Sequence, residues 1–298
     1  MPPNVKVSRG VPAGTAPGRK PENVSSAENR WIKRFRGALR GTGPDDEGWV
    51  GVEGARLVED ALRSGLETAA VLVSTSGERH LERLLPWLER AAGGRAESRT
   101  RLLETTDRLF AGVSGTETPQ GIAALVRPRT FAFEDLLRGD VPLVVVLAGV
   151  QDPGNVGTVF RSAEAFGATG AIAARGTAFP WAPKVLRASA GSALRLPIIA
   201  GAALPVALAQ LKIAGLKILA ATAGGEHPSH VPAEADLRSP IALLVGNEGA
   251  GLPGEIERSA DELVQIPISS AVDSLNAGVA ASVLLYEAAR QRSRRARE

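Results

Sequence analysis

The sequence contains no cysteine. Disulfides, thiolate metal sites and cysteine nucleophiles are therefore excluded, and the chain suits a reducing cytoplasm. Aromatic residues amount to only 4%, so any core must rest on Leu, Val, Ile and Ala. Histidine is equally scarce. His227 and His230 stand beside Glu226 in a Pro-containing loop, which is a poor ligand set, and no metal is expected. No apolar run reaches the roughly 18 residues needed to span a bilayer. The N-terminal stretch MPPNVKVSRGVPAGTAPGRKPE lacks an apolar centre, so neither a secretory signal nor a membrane anchor is expected.

What is present is ordinary. The 298 residues are 44% apolar and 22% charged, enough for two domains with real cores. Net charge is only +3, but it is unevenly placed. Lys6, Arg9, Arg19, Lys20, Arg30, Lys33, Arg34, Arg36 and Arg40 face only Glu22 and Glu28, and the C-terminus carries Arg290, Arg292, Arg294, Arg295 and Arg297. Basic ends on a near-neutral body point to phosphate contacts, and a solubilising role accounts for the charge alone equally well.

Residues 1–26 read as a Pro/Gly-rich basic arm. From 27 to 127 helices and strands alternate. Basic Asn29–Arg40 is helical, Trp49–Glu53 extended, Ala55–Ser64 helical, Ala69–Val73 extended and His80–Ala92 helical, with strands near Arg101–Glu104 and Ile122–Leu125. Residues 128–140 form a linker with a short acidic helix around Phe133–Arg138. From 141 to 298 the pattern changes. Leu143–Leu147 is a continuous apolar run of the kind found in parallel strands buried on both faces, and it recurs at Ala171–Ala174, Ile218–Ala221, Ile241–Val245 and Leu263–Pro267. Helical stretches between these runs predict a parallel α/β sheet. Such sheets bind ligands beyond the carboxyl ends of their strands.

Three segments fall at those ends. In Asp152–Gly167, Pro153 and Gly154 suit a turn, Asn155 suits a helix N-cap, and Gly167 suits a left-handed stop. Arg161 projects from the helix as a candidate phosphate ligand, or as a plain surface cation. In Ile241–Leu252, a buried strand runs into Gly246, Gly249 and Gly251, with Glu248 at the tip. The glycines allow close backbone approach to a ligand, and their spacing matches neither the dinucleotide nor the P-loop pattern. In Val264–Arg290, a polar loop follows the strand and a helix begins near Ser274. Leu275, Val279, Val283 and Tyr286 form its apolar stripe, and Ser274 and Asn276 suit capping.

Together the three segments resemble the signature of the SpoU (TrmH-type) RNA methyltransferases of the SPOUT superfamily, over about Val141–Gln291. Val52-Glu-Gly-Ala-Arg-Leu-Val58 resembles their ribosomal-protein-like substrate-binding domain. The resemblance implies a C-terminal α/β domain tied in a trefoil knot, a homodimer, and S-adenosylmethionine as cofactor, contacted at Gly246, Ile266 and Leu275. It places activity at Asn155, Arg161, Glu248, Ser274 and Asn276, with Glu248 available to hold Arg161. Where family members often carry Val-Ser, this chain has Ala277-Gly278, which predicts a looser pocket wall. The reaction implied is methylation of a ribose 2′-hydroxyl, with large-subunit (23S) rRNA favoured over tRNA as substrate by the separate N-terminal domain. The rival of another class is a non-catalytic RNA-binding protein of the same fold. A serine hydrolase is disfavoured because no Gly-x-Ser-x-Gly elbow is present.

Overall fold

A computed structural model describes residues 21–92, 100–224, 228–269, 271–272 and 274–295. In chain order the N-terminal half comprises β1 (Glu22–Asn23), α1 (Arg30–Arg40), β2 (Val50–Glu53), α2 (Ala55–Arg63), β3 (Glu67–Ser74), α3 (Leu81–Ala92), β4 (Arg101–Thr105), α4 (Asp107–Ala111) and β5 (Ile122–Arg127). The five strands form one sheet ordered β1-β4-β3-β5-β2. Pairing is parallel from β1 through β4 to β3 and antiparallel at β3–β5 and β5–β2. Alternation along β3 explains the layering. Ala70 and Leu72 join Ile32, Phe35 and Leu39 of α1, while Val71 and Val73 join Val58 and Leu62 of α2 and Leu84 of α3.

The expected basic arm lies mostly outside the described residues. Its end does not: Glu22 and Asn23 pair with Leu103 and Glu104, and Val24 is buried. A strand of two residues has no periodicity to detect, which is why the arm was read as running to residue 26.

The C-terminal half comprises β6 (Leu143–Leu147), α5 (Pro153–Ala165), β7 (Gly170–Ala174), α6 (Pro183–Ala188), β8 (Ile198–Ala202), α7 (Leu204–Ile213), β9 (Lys217–Thr222), β10 (Ile241–Val245), α8 (Gly254–Ser259), β11 (Glu262–Gln265) and α9 (Ala277–Arg295). Six strands make a wholly parallel sheet ordered β11-β9-β10-β6-β7-β8. Every residue of β6, β7 and β10 is buried, as their unbroken apolar runs require. β8 was not expected. It is an edge strand, partly exposed, interrupted by Gly201 at φ +74°, so it lacks the apolar continuity of its neighbours.

The two halves share a continuous core and, among the described residues, an ionic tie. Arg195 donates from Nε and Nη2 to both carboxylate oxygens of Glu164, at 2.7 Å each, and its Nη1 lies 3.5 Å from Asp60 on α2. Burial pushes the Glu164 pKa up, but hydrogen bonds from Arg195 and Ser192 outweigh it and hold the carboxyl below its usual range.

Candidate active site

The carboxyl ends of β9, β10 and β11 open onto a cavity of about 430 Å³. Its walls are the ends of those strands and the loops that follow: Ala221–Gly224, Val245–Leu252, Val264, Ile266, Ile268, Ser274, Leu275, Ala277 and Ala280. Of the residues expected to contact a cofactor, Gly246, Ile266 and Leu275 all line it, as do Glu248 and Ser274.

The loop after β10 is a tight hairpin. Asn247 and Gly251 exchange backbone N–H···O bonds in both directions at 3.0 Å. Oδ1 of Asn247 accepts from the N–H groups of Gly249 and Ala250, and its Nδ2 donates to the Gly149 carbonyl at 2.9 Å. A Cβ on Gly246 would sit 2.6 Å from the Gly251 carbonyl, so only glycine fits there. Gly251 has φ +65°, a conformation that favours glycine. Asn247 organises the whole wall and was not singled out from sequence, although an Asn before a glycine-dense turn is a recognisable signal.

Asn155 does not cap α5. Asp152 does: its Oδ1 accepts from the Asn155 N–H at 2.8 Å, with Pro153 in the first turn. The side chain of Asn155 is thereby released for other bonds. Its Nδ2 donates to Glu248 Oε1 at 2.7 Å, and its Oδ1 accepts from Asn276 Nδ2 at 2.8 Å. Asn276 also accepts from the Val279 N–H at 3.2 Å, capping α9, which begins at Ala277 rather than near Ser274. One side chain thus both caps a helix and joins the polar chain.

α9 meets α5 through small groups. Gly278 packs on Thr158, where a Cβ would stand 3.2 Å from the threonine side chain, and Ser162 and Ser282 share a 2.7 Å hydrogen bond. Asn155, Thr158 and Ser162 therefore define the line of α5 that faces α9. Arg161 is one residue off that line. It is exposed and has no hydrogen-bond or ion-pair partner among the described residues. The expected Glu248–Arg161 contact is not made among the described residues; Oε1 of Glu248 accepts from Asn155 instead.

The apolar stripe read for α9 is not its packed face. Ala277, Ala281, Leu284, Leu285 and Ala288 are buried, while Val279, Val283 and Tyr286 are 47%, 38% and 55% exposed. Tyr286 meets Phe166 edge-on, at 5.8 Å between ring centres. Glu226 and His227 of the loop set aside as a metal site lie outside the described residues; His230 serves the sheet, bridging Val264 through its backbone.

Comparison with known proteins places these features. Residues 142–286 match the SpoU rRNA Methylase family, and residues 32–124 match the MRM3-like substrate binding domain. An uncharacterized tRNA/rRNA methyltransferase of Mycolicibacterium paratuberculosis is 35% identical over 251 residues, covering 81% of this chain and 77% of the relative. The crystal structure of an AdoMet-bound rRNA methyltransferase from Sinorhizobium meliloti superimposes with a TM-score of 0.78 at 29% identity, covering 91% of this chain and 98% of that one. An RNA 2′-O ribose methyltransferase superimposes with a TM-score of 0.72 at 32% identity, covering 91% and 99%. The fold is that of an RNA-modifying methyltransferase. The chain belongs to the SpoU family of RNA methyltransferases, with an N-terminal substrate-binding domain and a C-terminal SpoU domain, and its cofactor is S-adenosylmethionine.

The cavity suits that cofactor. Val245, Leu252, Val264, Ile266, Ile268 and Leu275 contribute aliphatic lining, and the ionisable lining residues among those described are two acids, Glu248 and Glu257. A slot that takes a flat apolar ring and faces carboxylates, not cations, matches a nucleoside carrying a positive sulfonium.

Proposed function

We propose that the protein methylates a ribose 2′-hydroxyl of RNA, with 23S rRNA as the substrate, at a site made by Asn155, Arg161, Glu248, Ser274 and Asn276 beside a cofactor contacted at Gly246, Ile266 and Leu275. The observation that carries this is the hydrogen-bonded chain Asn276–Asn155–Glu248, whose Glu248 end lines the cavity. It holds an amide and a carboxylate beside the cavity, which supports an acceptor hydroxyl being oriented there. When bound, S-adenosylmethionine supplies a methyl group already activated on sulfur. The protein's share is alignment, which can contribute about 7–11 kcal/mol at best, and management of one proton. Asn155, held from both sides, orients the ribose. Glu248 spends Oε1 on Asn155 and keeps Oε2 for the proton leaving the 2′-oxygen. Arg161 stays charged under all ordinary conditions. Without a partner among the described residues, it clamps a substrate phosphate and stabilises developing negative charge.

Large-subunit rRNA is favoured because the family model and the Sinorhizobium neighbour are both described as rRNA-directed, and because a separate substrate-binding domain is present. The exposed Val279–Val283–Tyr286 stripe supports a homodimer. The absence of cysteine suits a reducing cytoplasm.

The test is transfer of tritiated methyl from labelled cofactor to unmodified rRNA and tRNA, followed by alkaline hydrolysis. Label in hydrolysis-resistant ribose-methylated dinucleotides from rRNA is expected; label in a base would sink the 2′-O reading. Arg161→Ala should abolish turnover with cofactor affinity kept, and Arg161→Lys should restore only part of it, because lysine lacks the bidentate fork. Full turnover by Arg161→Ala would remove Arg161 from the mechanism.

A further inference from the structure

A second hollow, of about 520 Å³, lies between the two domains. Arg40 at the end of α1 and the loop from Ser114 to Glu117 form one wall. Lys184 and Arg187 of α6 form the other, and Pro153 of α5 closes one side. Its position is set by rigid packing. A Cβ on Gly115 would lie 2.5 Å from the Leu39 carbonyl oxygen, so that loop is pressed onto α1. The buried carboxylate of Glu53 accepts from the Ser114 and Thr116 hydroxyls and from the Gly115 N–H, at 2.5, 2.7 and 3.0 Å. On the other side a Cβ on Gly157 would stand 2.5 Å from Ala188 Cβ, so α6 sits directly on α5.

The lining residues carry more positive than negative charge: Arg40, Lys184 and Arg187 against Glu117. Nη1 of Arg187 is buried without a hydrogen-bond partner among the described residues. Lys184 is exposed, and neither side chain has an ion-pair partner among those residues. Arg40 is aimed by the carbonyls of Ser114 and Ala111, at 3.0 and 3.5 Å. Glu117 is the one carboxylate among the lining residues. A guanidinium nitrogen withdrawn from water with no acceptor is costly until an acceptor arrives, and three cations about a cleft favour an oxyanion.

We infer that this cleft binds a phosphodiester of the RNA substrate between Arg40 and the Lys184/Arg187 pair, and thereby sets which nucleotide reaches Asn155. The inference rests on the RNA-substrate reading given above. Pro153 is two residues from Asn155, so a strand lying in the cleft leads into the site along the first turn of α5. The cleft is separate from the cofactor cavity and has no residue in common with it.

The experiment measures binding of in-vitro-transcribed large-subunit rRNA to the full chain over a range of salt, for wild type, Lys184→Gln, Arg187→Gln and Arg187→Lys. Each lost phosphate contact should reduce the slope of log affinity against log salt by about 0.7–0.9. KM for RNA should rise in both Gln variants, while cofactor affinity by calorimetry and Tm stay at wild-type values. Arg187→Lys should keep the slope. Slopes and KM equal to wild type in both Gln variants would overturn the proposal. Lys184 is exposed, so Lys184→Gln keeps the test valid even if Arg187→Gln fails to fold. Inorganic phosphate titrated at constant ionic strength separates a free-anion site: full competition at low millimolar phosphate, lost in Arg187→Gln, would assign the cleft to a free phosphate instead. A wild type whose RNA slope depends on Lys184 and Arg187 but which labels only bases would leave the cleft standing and remove the 2′-O reading.

Discussion

Three glycines in the loop after β10 look alike in the sequence and do different work. Gly246 is fixed by close approach, since a Cβ there would meet the carbonyl carbon and oxygen of Gly251 at 2.6 Å. Those are backbone atoms and cannot swing aside. Gly251 is fixed by φ +65°, whereas a Cβ on Gly249 would meet only Asn247 Oδ1, at 3.7 Å. Gly246→Ala should therefore displace the hairpin at a local cost of about 1–3 kcal/mol. If the hairpin is the cofactor wall, S-adenosylmethionine should bind at least about tenfold more weakly by calorimetry, with Gly249→Ala close to wild type. Equal affinity in Gly246→Ala would take the hairpin out of the site. A glycine-dense loop after a strand was legible in the sequence; which glycine is obligatory was not, because the clash is with a residue five positions away that only the hairpin brings back. Asn155 carries the same lesson. Composition marked it as a capping residue, but Asp152 had already taken that role, and the freed amide became the centre of the polar chain.

Among the elements, strands buried on both faces were the most legible, because an unbroken apolar run leaves little else to be. β8 and β1 were missed for the opposite reason: one is a half-exposed edge broken by glycine, the other two residues long. α9 was found but turned the wrong way. Its larger apolar residues suggested the packed face, whereas the tight seat against α5 selects Ala277, Gly278 and Ala281. What anchors its far end is Arg292. Nε donates to the Leu237 carbonyl at 2.9 Å, Nη1 to Val141 at 2.8 Å, and Nη2 to Ser239 at 2.8 Å and Pro142 at 3.3 Å. One guanidinium thus ties the helix to the segments leading into β6 and β10. Burial lowers its basicity, partly offset by Asp236, yet arginine keeps its charge. Arg292→Ala strands the Leu237, Val141 and Ser239 carbonyls at once, while Pro142 keeps the Ile241 N–H, and should cost about 2–4 kcal/mol, measured by denaturant titration with unchanged slope. Arg292→Lys should recover part of this, since an ammonium has three donors but no planar fork. A loss below about 0.5 kcal/mol in Arg292→Ala would show that water satisfies those carbonyls instead.

For the whole molecule, the two-domain plan was visible in the change from alternating to continuous apolar runs near residue 141. The threading that the family resemblance implies was not, since periodicity encodes elements and not the path between them. Neither was the proposed partner surface, because an apolar stripe reads the same whether it faces the chain's own core or another copy. Val279, Val283 and Tyr286 follow helical spacing on the outer face of α9, and an apolar stripe of this kind marks an association site when its members are contiguous. Self-complementary pairing about a two-fold axis is the commonest way to cover it. Arg161 stands next to Ser162, whose hydroxyl bonds Ser282 on this same helix, so a second copy seated on the stripe would border the unpartnered guanidinium. The wild-type chain should sediment as a dimer, and Val283→Glu combined with Tyr286→Glu should sediment as a folded monomer, because each protomer would bury two carboxylates against the other's. Turnover should fall with dimer content, recovering as protein concentration rises in the single Tyr286→Glu variant. A wild-type monomer with full methyl transfer would exclude the shared site, and a double variant that stays dimeric would place the interface on another face.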